Sequence, residues 1–212
     1  MNDILSKPGW MMVRLSDCCD EIGERIENPS QSGYERFVGL EHMQTRETTV
    51  RQWGSTSNLV SAMKLCKVGD VLVARRNVYL ERAARIDFDA ICSGDAIVLR
   101  PRSSPCLPDL LPFILNTDRF WEYVASQADG SMSKRISIVR LMVYEFPLPP
   151  LEEQRRIVSL LRAVEETING YSELIAGSEV VLTTLTNEVM KVGTRNTELT
   201  DNEGQLIPKN WE

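Results

Sequence analysis

Two clusters of basic residues carry most of the chemistry this sequence can offer. Arg75, Arg76, Arg82 and Arg85 surround Tyr79, and Glu81 is the only acid within that stretch. Lys134, Arg135 and Arg140 fall between Gly130 and Tyr144, a stretch with no acid at all. A guanidinium group offers paired N–H donors that suit a phosphate or a guanine edge, and an ammonium group neutralises phosphate as a point charge. Ser131 and Ser133 stand beside the second cluster with hydroxyls that can donate to phosphate oxygens. Arg75, Arg76, Tyr79, Arg82, Ser131, Ser133, Lys134 and Arg135 are therefore the candidate contacts to a nucleic acid. The competing account is ion pairing with Asp87, Asp89 and Asp95, which would make the same arginines structural.

Catalytic tools are scarce. The sequence has no G-x-x-x-x-G-K-[ST] phosphate loop and no G-x-G-x-x-G after a strand. Asn28-Pro29-Ser30-Gln31 lacks the second proline and the aromatic of an amino-methyltransferase motif and reads as a loop. His42 is the single histidine, so it completes neither a triad nor a metal site. The acidic pairs Asp87 with Asp89 and Glu165 with Glu166 read as solvated charges at a strand end and on a helix. The five cysteines, Cys18, Cys19, Cys66, Cys92 and Cys106, form no C-x-x-C and imply a reduced, cytoplasmic protein. No cofactor or metal is expected on this chain.

The net charge of −6 is unevenly distributed. Residues 1–150 hold 18 Lys and Arg against 19 Asp and Glu, whereas residues 151–212 hold 6 against 11. A near-neutral first part excludes binding to polyanions by bulk charge, so a nucleic-acid site must be a local patch. No apolar run approaches the roughly 20 residues that span a bilayer.

The elements that position these residues read as strands first and helices afterwards, an α+β arrangement. Trp10 to Leu15 and Arg36 to Leu40 read as strands, with a charged loop over Glu21–Gly33 between them and a long surface loop from Gln44 to Asn58. The turn Lys67-Val68-Gly69-Asp70 feeds a buried strand, Val71-Leu72-Val73-Ala74, and Arg75-Arg76-Asn77 ends it. Val78 to Ile86 is expected to return as a strand, and Ala96-Ile97-Val98-Leu99 is another. Apolar spacings of three and four between Leu107 and Ala128 predict helix. Ile136 to Met142 reads as a short link, and Val143 to Leu148 as a last extended segment.

The segment Phe146-Pro147-Leu148-Pro149-Pro150-Leu151-Glu152-Glu153-Gln154 then launches a long helix. Its prolines force an extended approach, Pro150 tolerates the first turn, and Glu152 and Glu153 sit at the positive end of the dipole. From there Ile157, Leu161, Val164, Ile168, Tyr171, Ile175, Ser178, Leu182, Leu185 and Val189 alternate at spacings of four and three. This is the 3.5-residue period of a coiled-coil seam. All but Ser178 are apolar, and those nine are the candidate pairing residues. Gly170 and Gly177 each cost about 1 kcal/mol in a helix interior, and a hairpin broken at Asn169-Gly170 is the alternative. The seam keeps phase across both glycines, which favours one continuous helix.

Taken together, Phe146 to Ile157, Gly130-Ser131 through Ile136, Gly69 to Arg75 and Ile91 to Pro101 resemble the specificity subunit of type I restriction-modification systems. The resemblance covers almost the whole chain. It implies a mixed α/β target-recognition domain over 1–148 and a long spacer and dimerisation helix over 149–192. The tail 193–212, ending Ile207-Pro208-Lys209-Asn210-Trp211-Glu212, resembles the start of a second recognition domain. Family members usually hold two such domains and two helices, so the chain is either a half-subunit acting as a dimer or a fragment of a longer one. The resemblance further implies a non-catalytic chain that reads half of a split double-stranded DNA site and docks methyltransferase (M) subunits, with a restriction and translocase (R) subunit in the full complex. S-adenosylmethionine and ATP would then belong to those partner subunits. A coiled-coil adaptor with a protein-binding head, and a nuclease or methyltransferase with an unrecognised site, are the alternatives.

Overall fold

The structure is a computed structural model that describes residues 8–130, 133–192, 199–202 and 205–208, with side-chain surroundings up to residue 190. It divides into two compact units, residues 1–158 and 159–212. It is a mixed α/β architecture followed by a long helix, as the sequence order of strands and helices implies.

In the first unit the strands are β1 (Met11–Arg14), β2 (Cys19–Ile22), β3 (Arg25–Ile26), β4 (Arg36–Val38), β5 (Gly54–Ser55), β6 (Met63–Cys66), β7 (Val71–Ala74), β8 (Ala83–Arg85), β9 (Ala90–Cys92), β10 (Ala96–Pro101) and β11 (Glu145–Leu148). The helices are α1 (Leu15–Cys18), α2 (Leu111–Ile114), α3 (Asp118–Gln127), α4 (Ile138–Met142) and α5 (Leu151–Val192), the last of which runs on into the second unit. One sheet has the order β2-β10-β7-β8 and is wholly antiparallel. A second has the order β3-β6-β9-β4-β5, with β4 and β9 parallel.

Side-chain alternation in the four-stranded sheet builds two cores, one on each face. Val71, Val73, Ala83, Ile97 and Leu99 face a core shared with Phe120, Trp121 and Val124 of α3, Leu141 of α4 and Phe146 and Leu148 of β11. Leu72, Ala84, Ala96 and Val98 face the other, with Val38 and Cys92 of the five-stranded sheet. Because β7 and β10 are buried on both faces they read as continuous apolar runs, which is why the sequence exposes them so clearly. The five cysteines are free and buried.

Several expectations need adjustment. Within Val78–Ile86 only Ala83–Arg85 is strand, because Asn77 and Glu81 adopt left-handed backbone and enclose a 3-10 turn at Val78–Leu80. The charged Glu21–Gly33 segment contributes Glu21 and Ile22 to β2 and all of β3. The predicted helical stretch is broken between Ile114 and Asp118, where Thr117 caps α3 by accepting from the Phe120 N–H at 3.3 Å.

The proline-rich segment is held by one side chain. Gln154 is 1% exposed. Its Oε1 accepts the Leu107 N–H at 2.8 Å, and its Nε2 donates to the carbonyls of Pro105 and Pro149 at 3.0 and 2.8 Å. Glu153 accepts from the Trp10 indole N–H at 3.0 Å. Gly9, at φ +81, lies so close that an added Cβ would meet Pro150 Cγ at 2.9 Å. β1 pairs with β11 in the register Val13↔Phe146, so the segment before the helix is closed onto the first strand.

Of the second unit, α5 is continuous through Gly170 and Gly177, which settles the hairpin alternative in favour of a single helix. β12 (Leu199–Asn202) and β13 (Gln205–Pro208) form an antiparallel hairpin in the register Thr200↔Ile207. Trp211 and the rest of the tail's ending lie outside the described residues.

Replacing Gln154 with leucine keeps the volume and strands one donor and two acceptors of buried backbone. At about 1–3 kcal/mol for each unsatisfied group, the cost should reach about 3 kcal/mol, read as a lower midpoint of chemical unfolding.

Candidate nucleic-acid interface

The two basic clusters lie some sixty residues apart in sequence and the fold sets them side by side. β7 ends at Ala74, so Arg75 and Arg76 leave the sheet at its rim. There the Arg75 N–H donates to the Asp95 carbonyl at 2.9 Å, and the Ile136 N–H donates to the Arg75 carbonyl at 3.0 Å. Arg76 and Arg135 form an antiparallel bridge, and a second bridge joins Asp129 to Arg135 with N–H···O distances of 2.9 and 2.8 Å. Gly130 makes the turn between those last two residues possible. Its φ is +106, and a Cβ there would stand 3.0 Å from the Ser133 carbonyl oxygen.

The side chains follow. Arg76 Nε donates to Ser133 Oγ at 3.1 Å, and Ser133 Oγ donates to Asn77 Oδ1 at 2.8 Å. Asp95 faces both guanidinium groups, Arg76 at 3.4 Å and Arg135 at 3.5 Å. Both distances are long for an ion pair with direct hydrogen bonds. Lys134 is exposed and makes no ion pair among the described residues. Arg75 is half-buried, and its Nε is sealed from solvent without an acceptor. Two guanidinium groups thus share one carboxylate, and Arg75 and Lys134 adjoin them in sequence. The neighbouring Asp129 is already engaged by Arg140 at 2.7 Å, which also donates to the Gln127 carbonyl.

The ion-pair account of the arginines is therefore right for some and incomplete for others. Arg85 is held between Asp87 at 2.9 Å and Asp109 at 2.8 Å, and is structural. Arg82 turns under the neighbouring loop, where it donates to the Leu40 carbonyl at 2.7 Å. Tyr79 stays at the surface, 65% exposed. Ser131 lies outside the described residues. His42 accepts the Gly39 N–H at 3.0 Å on Nδ1 and meets Phe37 edge-on, a structural role. Among the described residues no group of three or more His, Cys, Asp or Glu could hold a metal ion, and no helix is long and apolar enough to cross a membrane.

Sequence reasoning missed three contributors. Asp95 was visible only as a competitor for the arginines, and Asn77 only as a strand end. Arg36 was unmarked, yet its guanidinium lies over Trp53 at 4.5 Å and Phe88 at 4.7 Å, lining an open polar cleft of about 800 Å³ with Tyr34 and Ser55. No local pattern signals a stack built from three separate segments.

Of the seam residues, Ile157 packs against the core of the first unit alongside buried Val158. Val164, Ile168, Tyr171, Ile175, Leu182, Leu185 and Val189 are 42–66% exposed. Leu160, Leu174 and Val181, fourteen and seven residues apart, form a further exposed row at 66%, 68% and 58%.

The family model for the type I restriction modification DNA specificity domain matches residues 8–176, and the chain belongs to that family. Among solved structures, it is similar to the HsdS subunit from Thermoanaerobacter tengcongensis, with 25% identity and a TM-score of 0.64 over 91% of this chain and 52% of that one. It is also similar to a chain of a type I R-M system solved for its complex assembly and conformational transition, with 25% identity and a TM-score of 0.58 over 84% of this chain and 44% of that one. The type I S subunit from M. genitalium shares the fold, with 17% identity and a TM-score of 0.62 over 90% of this chain and 47% of that one. The chain spans about half the length of the solved structures it matches.

Substituting Gly130 with alanine should destabilise the loop that carries Ser133 and Lys134. The positive φ and the close carbonyl together predict a loss of about 1–3 kcal/mol, measurable by thermal unfolding.

Proposed function

We propose that this chain is a non-catalytic DNA sequence-specificity component of a type I restriction-modification complex. It reads one half of a split double-stranded DNA site and docks the methyltransferase subunits, while S-adenosylmethionine, ATP and the restriction subunit belong to the rest of the assembly. The observation that carries this reading is the cationic rim, where two arginines share a single carboxylate at long range. Arg75, half-buried with an unsatisfied Nε, adjoins Arg76 and Arg135, which share Asp95 at long range, and the exposed Lys134. A half-buried guanidinium without a carboxylate is costly in the free protein and favourable once an anion arrives. A duplex presents such anions at regular spacing, and Arg76 has donors left over to reach a base edge. Ser133, oriented by Asn77 and Arg76, is placed to exchange its hydrogen bond for one to a phosphate.

The helix supplies assembly. Burying large apolar side chains contributes about 1.5–3 kcal/mol each, so the exposed row from Val164 to Val189 can drive association with a second long helix. Where no second helix is supplied in the same chain, two copies pair as a homodimer. An antiparallel pair centred near residue 173 sets Ser178 beside Ile168 and Tyr171 beside Ile175, so the one polar seam position never meets itself. Its two-fold axis can coincide with a DNA dyad, and the two recognition domains then read inverted half-sites. The row Leu160, Leu174 and Val181 lies outside that seam and offers the methyltransferase subunits an apolar surface of their own.

Three outcomes follow. The chain free of other subunits should neither methylate nor cut DNA in a standard transfer or cleavage assay, and transfer by such a preparation would end this reading. In the complex with its methyltransferase, alanine at Arg135 or Lys134 should weaken binding to every sequence and lower the salt slope by roughly 1 per lost phosphate contact. Alanine at Arg75 or Arg76, if that residue reads a base, should cost ~1–3 kcal/mol at one position of the site. Unchanged affinity and preference across all four would remove the rim from the interface. For the helix, glutamate at Ile168 or Ile175 should abolish pairing in sedimentation while the first unit stays folded. A chain carrying Val164→Cys and Leu182→Cys should cross-link between copies, whereas Val164→Cys alone should not. A dimer linked through position 164 on both chains would establish parallel helices and overturn the inverted half-site geometry.

A further inference from the structure

Between Arg76 and β8 the chain makes a detour that a returning strand would not need. Asn77 and Glu81, neither of them glycine, adopt φ of +54 and +48. They enclose the single 3-10 turn Val78–Leu80, closed by the Leu80 N–H to the Asn77 carbonyl at 2.9 Å and the Glu81 N–H to the Val78 carbonyl at 3.1 Å. Val78 is buried beneath the turn, while Tyr79 beside it is 65% exposed. Left-handed backbone at a residue with a Cβ is strained, and it persists only where the surroundings over-determine it.

Those surroundings are well defined. Thr45 Oγ1 donates to the Leu80 carbonyl at 2.9 Å, and the Arg46 N–H donates to the Glu81 carbonyl at 2.9 Å. The Arg46 guanidinium pairs with the Glu81 carboxylate and reaches the Asn116 carbonyl at 3.0 Å and Asp118 at 2.8 Å. Arg46 is itself left-handed, at φ +60. At the other end Asn77 accepts from Ser133, the hydroxyl that Arg76 holds. The turn is thus clamped from both sides, and the clamp on one side is part of the cationic rim.

We propose that Tyr79 is a preformed specificity-determining residue that contacts a thymine methyl in the major groove, and that Arg46 and Glu81 are the positioning residues that present it. The proposal rests on the DNA-reading function above and names which side chain distinguishes one base there. Phosphates already have donors in Arg75, Arg76, Lys134 and Arg135, whereas a phenol ring offers mainly apolar surface. In the major groove the thymine C5-methyl is the apolar group that a protein side chain can read. A ring carried on a backbone turn that is already clamped needs no backbone ordering when it makes that contact, so the strain of the turn is offset by a cheaper association.

The test uses the complex with its methyltransferase and a site defined by methylation mapping. In wild type, replacing thymine by uracil, one position at a time, should lower affinity at one position by roughly five- to tenfold, the scale of one lost methyl contact. Tyr79→Ala should lower affinity for the thymine site by a similar factor and be indifferent to uracil there. Tyr79→Phe, which keeps the ring, should behave as wild type. Arg46→Ala should show the same indifference at that one position with an unchanged salt slope, and Arg46→Lys, which retains a cation for Glu81, should restore part of the discrimination. Circular dichroism and melting temperature establish that each variant is folded, and Glu81→Gln serves where Arg46→Ala is not. A Tyr79→Ala variant that still discriminates uracil from thymine, or one that loses affinity equally on all sequences, overturns the proposal and leaves the function intact. A wild-type complex with no sequence preference overturns the function and the proposal with it.

Discussion

A proline-rich entry into a helix creates a backbone problem, and the Gln154 side chain solves it. Pro147, Pro149 and Pro150 cannot donate hydrogen bonds, so the carbonyls around them must find donors elsewhere when they are buried. One primary amide supplies two donors and one acceptor at once, and the Pro105 and Pro149 carbonyls with the Leu107 N–H use all three. This joins the loop after β10 to the start of α5. Through the β1–β11 pair and the Trp10–Glu153 hydrogen bond it also fastens the beginning of the chain to the same place. A glutamate at 154 would lack the donors and a leucine would lack everything, so the residue type follows from the geometry of its neighbours.

The cationic rim draws on the same hydrophobic core. Ile136 is buried in the core that β11 and α4 complete, and its N–H fixes the Arg75 carbonyl. The rim is therefore held in part by backbone hydrogen bonds, while the Arg76 and Arg135 side chains make long contacts to Asp95, Arg76 also donates to Ser133, and Lys134 is exposed. Asp95 moderates the repulsion between Arg76 and Arg135 without saturating either one. A closer bidentate pair, like that of Asp70 with Arg100 at 2.8 Å to both nitrogens, would have withdrawn an arginine from any ligand. Distance thus separates the arginines that hold the fold from those available to bind.

What the sequence revealed follows the physics of each signal. β7 and β10 were legible because strands buried on both faces are apolar throughout, and α5 because a seven-residue repeat over forty residues has no other use. The strands β3, β6 and β9, two to four residues long with Lys64 and Cys66 among them, offer too little periodicity to stand out. Both halves of the rim were legible as charge, yet not their meeting, because pairing Arg76 with Arg135 depends on a tertiary bridge that leaves no local mark. The error at Val78–Ile86 is instructive. Asn is the residue other than glycine most at ease in left-handed backbone, and Asn77 marked the turn, but the apolar Val78 and Leu80 imitate strand alternation.

The helix poses the converse case, in which the pattern is clear and most of the seam is exposed among the described residues. Among the described residues nothing lies within 4 Å of where a Cβ would sit at Gly170 or Gly177. Each still costs about 1 kcal/mol of helix stability. Among the described residues, Val164, Ile168, Tyr171, Ile175, Leu182, Leu185 and Val189 are exposed. In the proposed assembly, apolar area buried against other helices stabilises this one, and the seam and the second row are the surfaces that engage them. Pairing two seams covers Ile168, Tyr171 and Ile175, while Leu160, Leu174 and Val181 remain outside the pair. An assembly that covers both rows removes more apolar surface from water than any dimer of this helix alone, so partner binding and pairing should reinforce one another through the same forty residues.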